Sequence, residues 1–232
     1  MSDVDLMLVL TGLDDRAAAR VDLVRDRVRA AGAGELAQRL SIFWSDWPGV
    51  QQGIATTGRL PEVDRLDLLD SGRLLQGVDQ RAGAERPDPA VIVRQAAEFA
   101  LWKFDDRYIA RLGAPADLVA EGARSVTKAV LFPVRFLYTL ATRRIGRNEA
   151  AARWFVAERE HGDLPEAALV WRRDGISEAC EAEALLARHL VPINAMFARE
   201  YAYALRTSGH VALADDLARW GERVTRAGAR LA

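Results

Sequence analysis

A single cysteine, Cys180, leaves the chain without a partner for an internal disulfide and without the thiolates of a cysteine-rich zinc site. In a helical stretch such a cysteine is expected half-buried and inert rather than nucleophilic. Neither sign of charge prevails, since 32 lysines and arginines stand against 33 acids across 232 residues. No basic field therefore marks the chain for nucleic acid or for an anionic membrane surface. No apolar run is long enough to span a bilayer, and an acidic beginning does not suit a signal peptide. The expectation is a cytoplasmic protein with no membrane and no nucleic acid among its partners. At this length, one large domain or two small ones can each bury a core.

What is present begins at once. Asp3 and Asp5 lead into Leu6-Met7-Leu8-Val9-Leu10, an apolar run that reads as a buried strand. Side chains two apart in an extended chain point to the same side, so both carboxylates would project together from its tip. Magnesium is commonly held by one or two carboxylates plus substrate phosphates, which makes the pair a candidate metal site for a triphosphate. Thr11-Gly12 then breaks the pattern, and Asp14 or Asp15 can cap a helix to about Ala31, with Val21, Val24 and Val28 at helical spacing. Arg39 to Trp44 reads as a second strand, stopped by Ser45-Asp46-Trp47-Pro48-Gly49. Val63 to Leu69 suggests a helical turn or two, and Arg73 to Gly77 a short strand or extended segment.

Composition changes around Arg86-Pro87-Asp88-Pro89, and a domain boundary is expected near Arg86. Beyond it the pattern predicts helices over 90–112, 116–145, 148–160, 164–173, 177–206 and 210–230. The second of these carries a core stripe of Val126, Val130, Val134, Leu137 and Ala141. Arg124, Lys128, Arg135, Thr139 and Thr142 fall on another side. Cations aligned there can hold phosphates, arginine with a bidentate fork, or can pair with acids as a solvated face. Pro133 inside the helix should kink it.

Two stretches together resemble a known family. Ser2-Asp3-Val4-Asp5-Leu6 resembles the Asp-x-Asp strand of polymerase-β-type nucleotidyltransferases. Ser125 to Thr139, followed by Glu149-Ala150-Ala151-Ala152-Arg153-Trp154, is similar to the helical domain of the streptomycin/spectinomycin (aminoglycoside) adenylyltransferases. Ala167-Ala168-Leu169-Val170-Trp171 fits the same family's next helix. The resemblance implies an α+β protein. A small mixed-sheet nucleotidyltransferase domain, incomplete at its N-terminus, would span residues 1–86, and an all-α helical bundle domain residues 87–232.

The implied reaction is magnesium-dependent transfer of a nucleoside monophosphate, AMP from ATP, to a hydroxyl of a small-molecule acceptor. In it Asp3 and Asp5 would hold the metal, while Ser2 and Arg135 would meet the phosphates. Trp171 would pack on the base, with the nucleotide between the domains, and Glu121 would face the acceptor. This sequence departs from the family in four places. The family's glycine-serine pair, some ten residues ahead of Asp-x-Asp, has no counterpart, so an N-terminally clipped chain of little or no activity is expected. No acid occurs from Leu36 to Ser45, where the family keeps its third carboxylate; Asp46 is the nearest candidate for base. A family lysine is replaced by Asn148, with Arg144 and Arg147 close by. Lys128 and Ser125 stand where acids would greet a polycationic drug, which argues against an aminoglycoside acceptor. The alternative is a catalytically inactive, antitoxin-like binding or regulatory protein of the same fold. A helical-bundle toxin ribonuclease is excluded, because its arginine–histidine pair finds only Arg206 and His210, with Gly209 between them.

Overall fold

The computed structural model describes residues 4–32, 34–53 and 58–229. The chain divides into two compact units, Met1–Asp88 and Pro89–Ala232. The protein is α+β in the coarse sense, mostly helical with a small parallel sheet.

The first unit contains β1 (Val4–Leu10), α1 (Ala17–Ala30), α2 (Glu35–Gln38), β2 (Leu40–Asp46), α3 (Trp47–Gln52) and α4 (Glu62–Ser71). The strands pair in parallel, with Asp5 opposite Ser41 and Leu10 opposite Asp46. Alternation then sorts the side chains onto two faces. Leu8, Leu10, Leu40, Ile42 and Trp44 pack with Ala17 and Val21 of α1. Asp5, Met7, Ser41 and Phe43 occupy the other face. Among the described residues the sheet has these two strands, and antiparallel pairing is limited to one bridge, Trp44 with Arg59. The mixed sheet expected from the sequence is thus reduced to that bridge.

Two local expectations are corrected. The stretch after Trp44 does not stop the chain in a turn, because β2 runs on to Asp46 and passes directly into α3. Asp46 accepts the Gly49 N–H at 2.9 Å, and Pro48 occupies the first turn, where its missing N–H costs nothing. Residues 73–77 form no strand. Arginine side chains serve the backbone there: Arg81 donates to the carbonyls of Leu68 at 2.7 Å and Gly72 at 2.8 Å, and pairs with Asp79.

The second unit is a helical bundle of α5 (Pro89–Lys103), α6 (Asp106–Leu112), α7 (Pro115–Ala120), α8 (Ala123–Thr142), α9 (Asn148–Glu158), α10 (Asp163–Asp174), α11 (Ala179–Thr207) and α12 (Val211–Gly228). Its core joins the α8 stripe of Val126, Val130, Val134 and Leu137 to Leu186, Leu190, Ile193, Phe197 and Tyr201 of α11. A side chain at Gly221 of α12 would lie 2.7 Å from the Ala198 Cβ, so glycine lets α11 and α12 approach. The helix expected over 90–112 is broken at Asp105, whose carboxylate accepts the Tyr108 N–H at 2.9 Å and starts α6. The one expected over 116–145 is divided at Gly122, whose φ of 95° suits no other residue well. Cys180, in the first turn of α11, is exposed rather than half-buried, because that turn lies outside the packed stripe.

Pro133 lies within α8 and does not interrupt it. Proline cannot donate to the carbonyl four residues back, that of Ala129. The Tyr108 hydroxyl, with one proton to share, lies 3.3 Å from that oxygen and 3.1 Å from Asn194 Oδ1, while Asn194 Nδ2 donates to the Leu190 carbonyl at 2.9 Å. Burial holds the Tyr108 hydroxyl in its protonated, donating form by pushing its pKa far up. Tyr108→Phe is therefore expected to lower the stability of the bundle by about 1–3 kcal/mol, the cost of losing the proton that the two buried acceptors share. A shift of the urea midpoint with an unchanged slope would register it.

Candidate functional site

Asp5 stands on the sheet face turned away from α1, one residue beyond the start of β1, and is exposed. Ser2 and Asp3, the other residues assigned to this rim, lie outside the described residues. Helix α4 brings further carboxylates toward Asp5. Asp64 and Asp67, three apart, share a helical face. Asp64 is partly buried, and its carboxyl is pushed up to about 6 from 3.8. Burial is the largest cause, followed by the charges of Asp5 and then Asp67, with Arg59 pulling the other way. Asp67 Oδ1 is buried without a hydrogen-bond partner among the described residues.

The local sequence explains how α4 is held there. Arg65, with 2% of its surface exposed, anchors the helix. Its Nε and Nη2 contact Glu62 Oε2 at 2.9 and 2.8 Å, and its Nη1 donates to the carbonyls of Val50 at 3.1 Å and Glu85 at 2.7 Å. Gly53 closes α3 in the left-handed region at φ 68°, where a Cβ would lie 2.6 Å from the Glu62 carboxylate and 2.8 Å from the Arg65 guanidinium. Only glycine leaves that ion pair room.

Asp46 is placed elsewhere. It lies at the other end of the strand pair from Asp5, five rungs away or roughly 17 Å at the rise of a parallel strand. It also belongs to the opposite face, with its carboxylate engaged in capping α3. A general base must come within hydrogen-bond reach of its proton, so Asp46 does not serve a reaction centred on Asp5.

The remaining assigned residues belong to the second unit. Arg135, on α8, donates from Nε to the Gly146 carbonyl at 2.6 Å. Thr139 closes the same turn: its Oγ1 donates to the Arg135 carbonyl at 3.0 Å and accepts the Gly146 N–H at 3.3 Å. Arg135 thus has a structural task at the α8–α9 turn. Trp171, on α10, is partly buried and packs against the bundle core. Glu121 follows α7 directly and pairs with Arg111.

Sequence reasoning missed Asp64 and Asp67. Their spacing marks a common face, but nothing in it says which distant charges act on that face. The set fits a divalent cation in charge, since crowded carboxylates with one orphaned oxygen favour a positive neighbour. Among the described residues no three histidine, cysteine or acidic side chains converge on one coordination sphere. An ion here would take one or two carboxylates and complete its shell with phosphates and water, as magnesium does. Among the same residues no helix is long and apolar enough to cross a membrane. Comparison with protein-family models, curated proteins and solved structures finds no match for the chain.

Proposed function

We propose that the first unit is a nucleotidyltransferase-type site in which Asp5 and Asp64, with Asp3, hold magnesium and a nucleoside triphosphate. The observation that carries this reading is Asp64: an acid set on a helix, partly buried, within the field of the strand acid that the sequence had singled out. Such an arrangement costs stability and is tolerated where a cation binds.

In the proposed reaction an acceptor hydroxyl oxygen bonds to the α-phosphorus of ATP. The bond from that phosphorus to the bridging oxygen breaks, pyrophosphate leaves with the electron pair, and the hydroxyl proton passes to solvent or a carboxylate. Magnesium, when bound, neutralises charge on the phosphate oxygens. The chain's own contribution is to fix Asp5 on a strand and Asp64 on a helix anchored by Arg65, so that the carboxylates are in place before substrate arrives.

Incubation with α-labelled ATP, magnesium and a panel of small hydroxyl compounds should give labelled product that chelation abolishes. The absence of transfer to every acceptor would count against turnover. One observation favours the second reading, a binding or regulatory protein of this fold that does not turn over: Asp46, the residue nearest the family's third-carboxylate strand, is occupied as a helix cap. That reading predicts magnesium-dependent retention of ATP without product.

A further inference from the structure

We infer that Arg59 is the phosphate-binding cation of the first unit, reaching the polyphosphate of the bound nucleotide from the side of β2. This rests on the reading of Asp5 and Asp64 as the metal-holding pair. Backbone bonds fix the position of Arg59: its N–H donates to the Trp44 carbonyl at 2.7 Å, and the Trp44 N–H donates to its carbonyl at 3.0 Å. Its guanidinium lies over the Phe43 ring, 5.6 Å from the centroid. Phe43 shares the sheet face of Asp5, because the register sets Met7 opposite Phe43 two residues on from Asp5 opposite Ser41.

The cation is therefore held on the carboxylate face. It is near enough to act on Asp64 electrostatically, yet it forms no ion pair among the described residues. Several of this unit's arginines are already paired, Arg20 with Asp14, Arg65 with Glu62, Arg81 with Asp79 and Arg86 with Asp70. Arg59 is exposed, with its guanidinium over an aromatic ring. The ring contact restricts the side chain while its exposure leaves the guanidinium open to solvent, and a guanidinium's planar fork matches two phosphate oxygens. A metal bound by carboxylates on one side and an arginine on the other would neutralise a triphosphate from both ends. The ligand class is thus a polyphosphate, and the base and sugar are not read by this residue.

The test is calorimetric titration of the whole chain with magnesium tripolyphosphate and magnesium ATP, using wild type, Arg59→Met and Arg59→Lys. Methionine keeps an apolar stem over Phe43 without the charge, and lysine keeps the charge without the fork. Arg59→Met should weaken both ligands by roughly ten- to a hundredfold, the range for a lost hydrogen bond to a charged group. Arg59→Lys should recover part of the loss, and the unliganded proteins should melt alike. If wild type binds both ligands and Arg59→Met binds them equally well, Arg59 has no such role and the metal reading stands. If Arg59→Met melts lower but binds unchanged, the residue is structural and the inference is overturned. If wild type binds neither ligand, the metal reading and this inference fail together.

Discussion

Replacing Arg65 by methionine is expected to unfold the first unit while the helical bundle stays folded. The guanidinium is almost wholly enclosed, and its removal takes an ion-pair partner from the Glu62 carboxylate and a donor from each of the carbonyls of Val50 and Glu85. Breaking a buried pair from one side costs about 3–5 kcal/mol, because the remaining charge keeps its desolvation penalty. The unit has little to set against that loss. Its strands pack on α1 through a small cluster around Ala17, Val21, Ile42 and Trp44. A whole small domain holds on the order of 5–15 kcal/mol, so the substitution removes a large share. Hydrogen exchange read by mass spectrometry should show protection lost across β1, β2 and α4. Amides of α8 and α11 should exchange as in wild type. Arg65→Lys should rescue little, since an ammonium cannot span the carboxylate and two carbonyls with a planar fork.

Asp64→Asn should have the opposite effect on stability and should abolish magnesium-dependent ligand binding. The Asp64 carboxyl titrates near 6 in the folded protein, against 3.8 for the ordinary side chain. The folded state therefore binds the proton more tightly than the unfolded state. The protonated acid favours folding in full below about pH 4, and that contribution is lost as the pH rises through about 6. At pH 7 the ionised carboxylate costs up to about 3 kcal/mol, at 1.36 kcal/mol for each unit of displacement, and less where water reaches it. Asparagine carries no charge, so the variant should be more stable than wild type at pH 7 and no more stable at pH 4. Thermal or urea unfolding at the two pH values measures the difference. A gain in stability coupled to a loss of ligand binding is the behaviour of a residue kept for function.

Much of the helical unit was legible because its signals are local. The α8 stripe of Val126, Val130, Val134 and Leu137 follows helical spacing and is buried as that spacing implies, whereas Ala141, expected to continue it, is exposed in the last turn. The breaks at Asp105 and Gly122 were harder to see, since both interrupt patterns whose apolar residues continue on either side. Asp105 acts through a cap bond and Gly122 through its positive φ, and neither leaves a mark in periodicity. In the first unit the strands were visible as apolar runs, and Asp5 was visible as one of a pair. Asp64 was not, because the charges that act on its carboxyl come from residues distant in sequence, Asp5 and Arg59 among them, and Arg65 holds α4 in place with bonds to residues 15 and 20 positions away. Asp46 drew attention by its position in the sequence, and the register shows why position misleads: one end of a strand pair cannot serve chemistry at the other.

The most direct measurement is a double-mutant cycle on the affinity for magnesium ATP, with Asp5→Asn, Asp64→Asn and the two combined. If the carboxylates share one ion, either substitution alone should remove most of the affinity and the second should add little. The coupling should then exceed about 1 kcal/mol, well beyond the error of additivity for independent sites. Losses that simply add, or an Asp64→Asn protein that binds magnesium ATP as wild type does, would contradict the account.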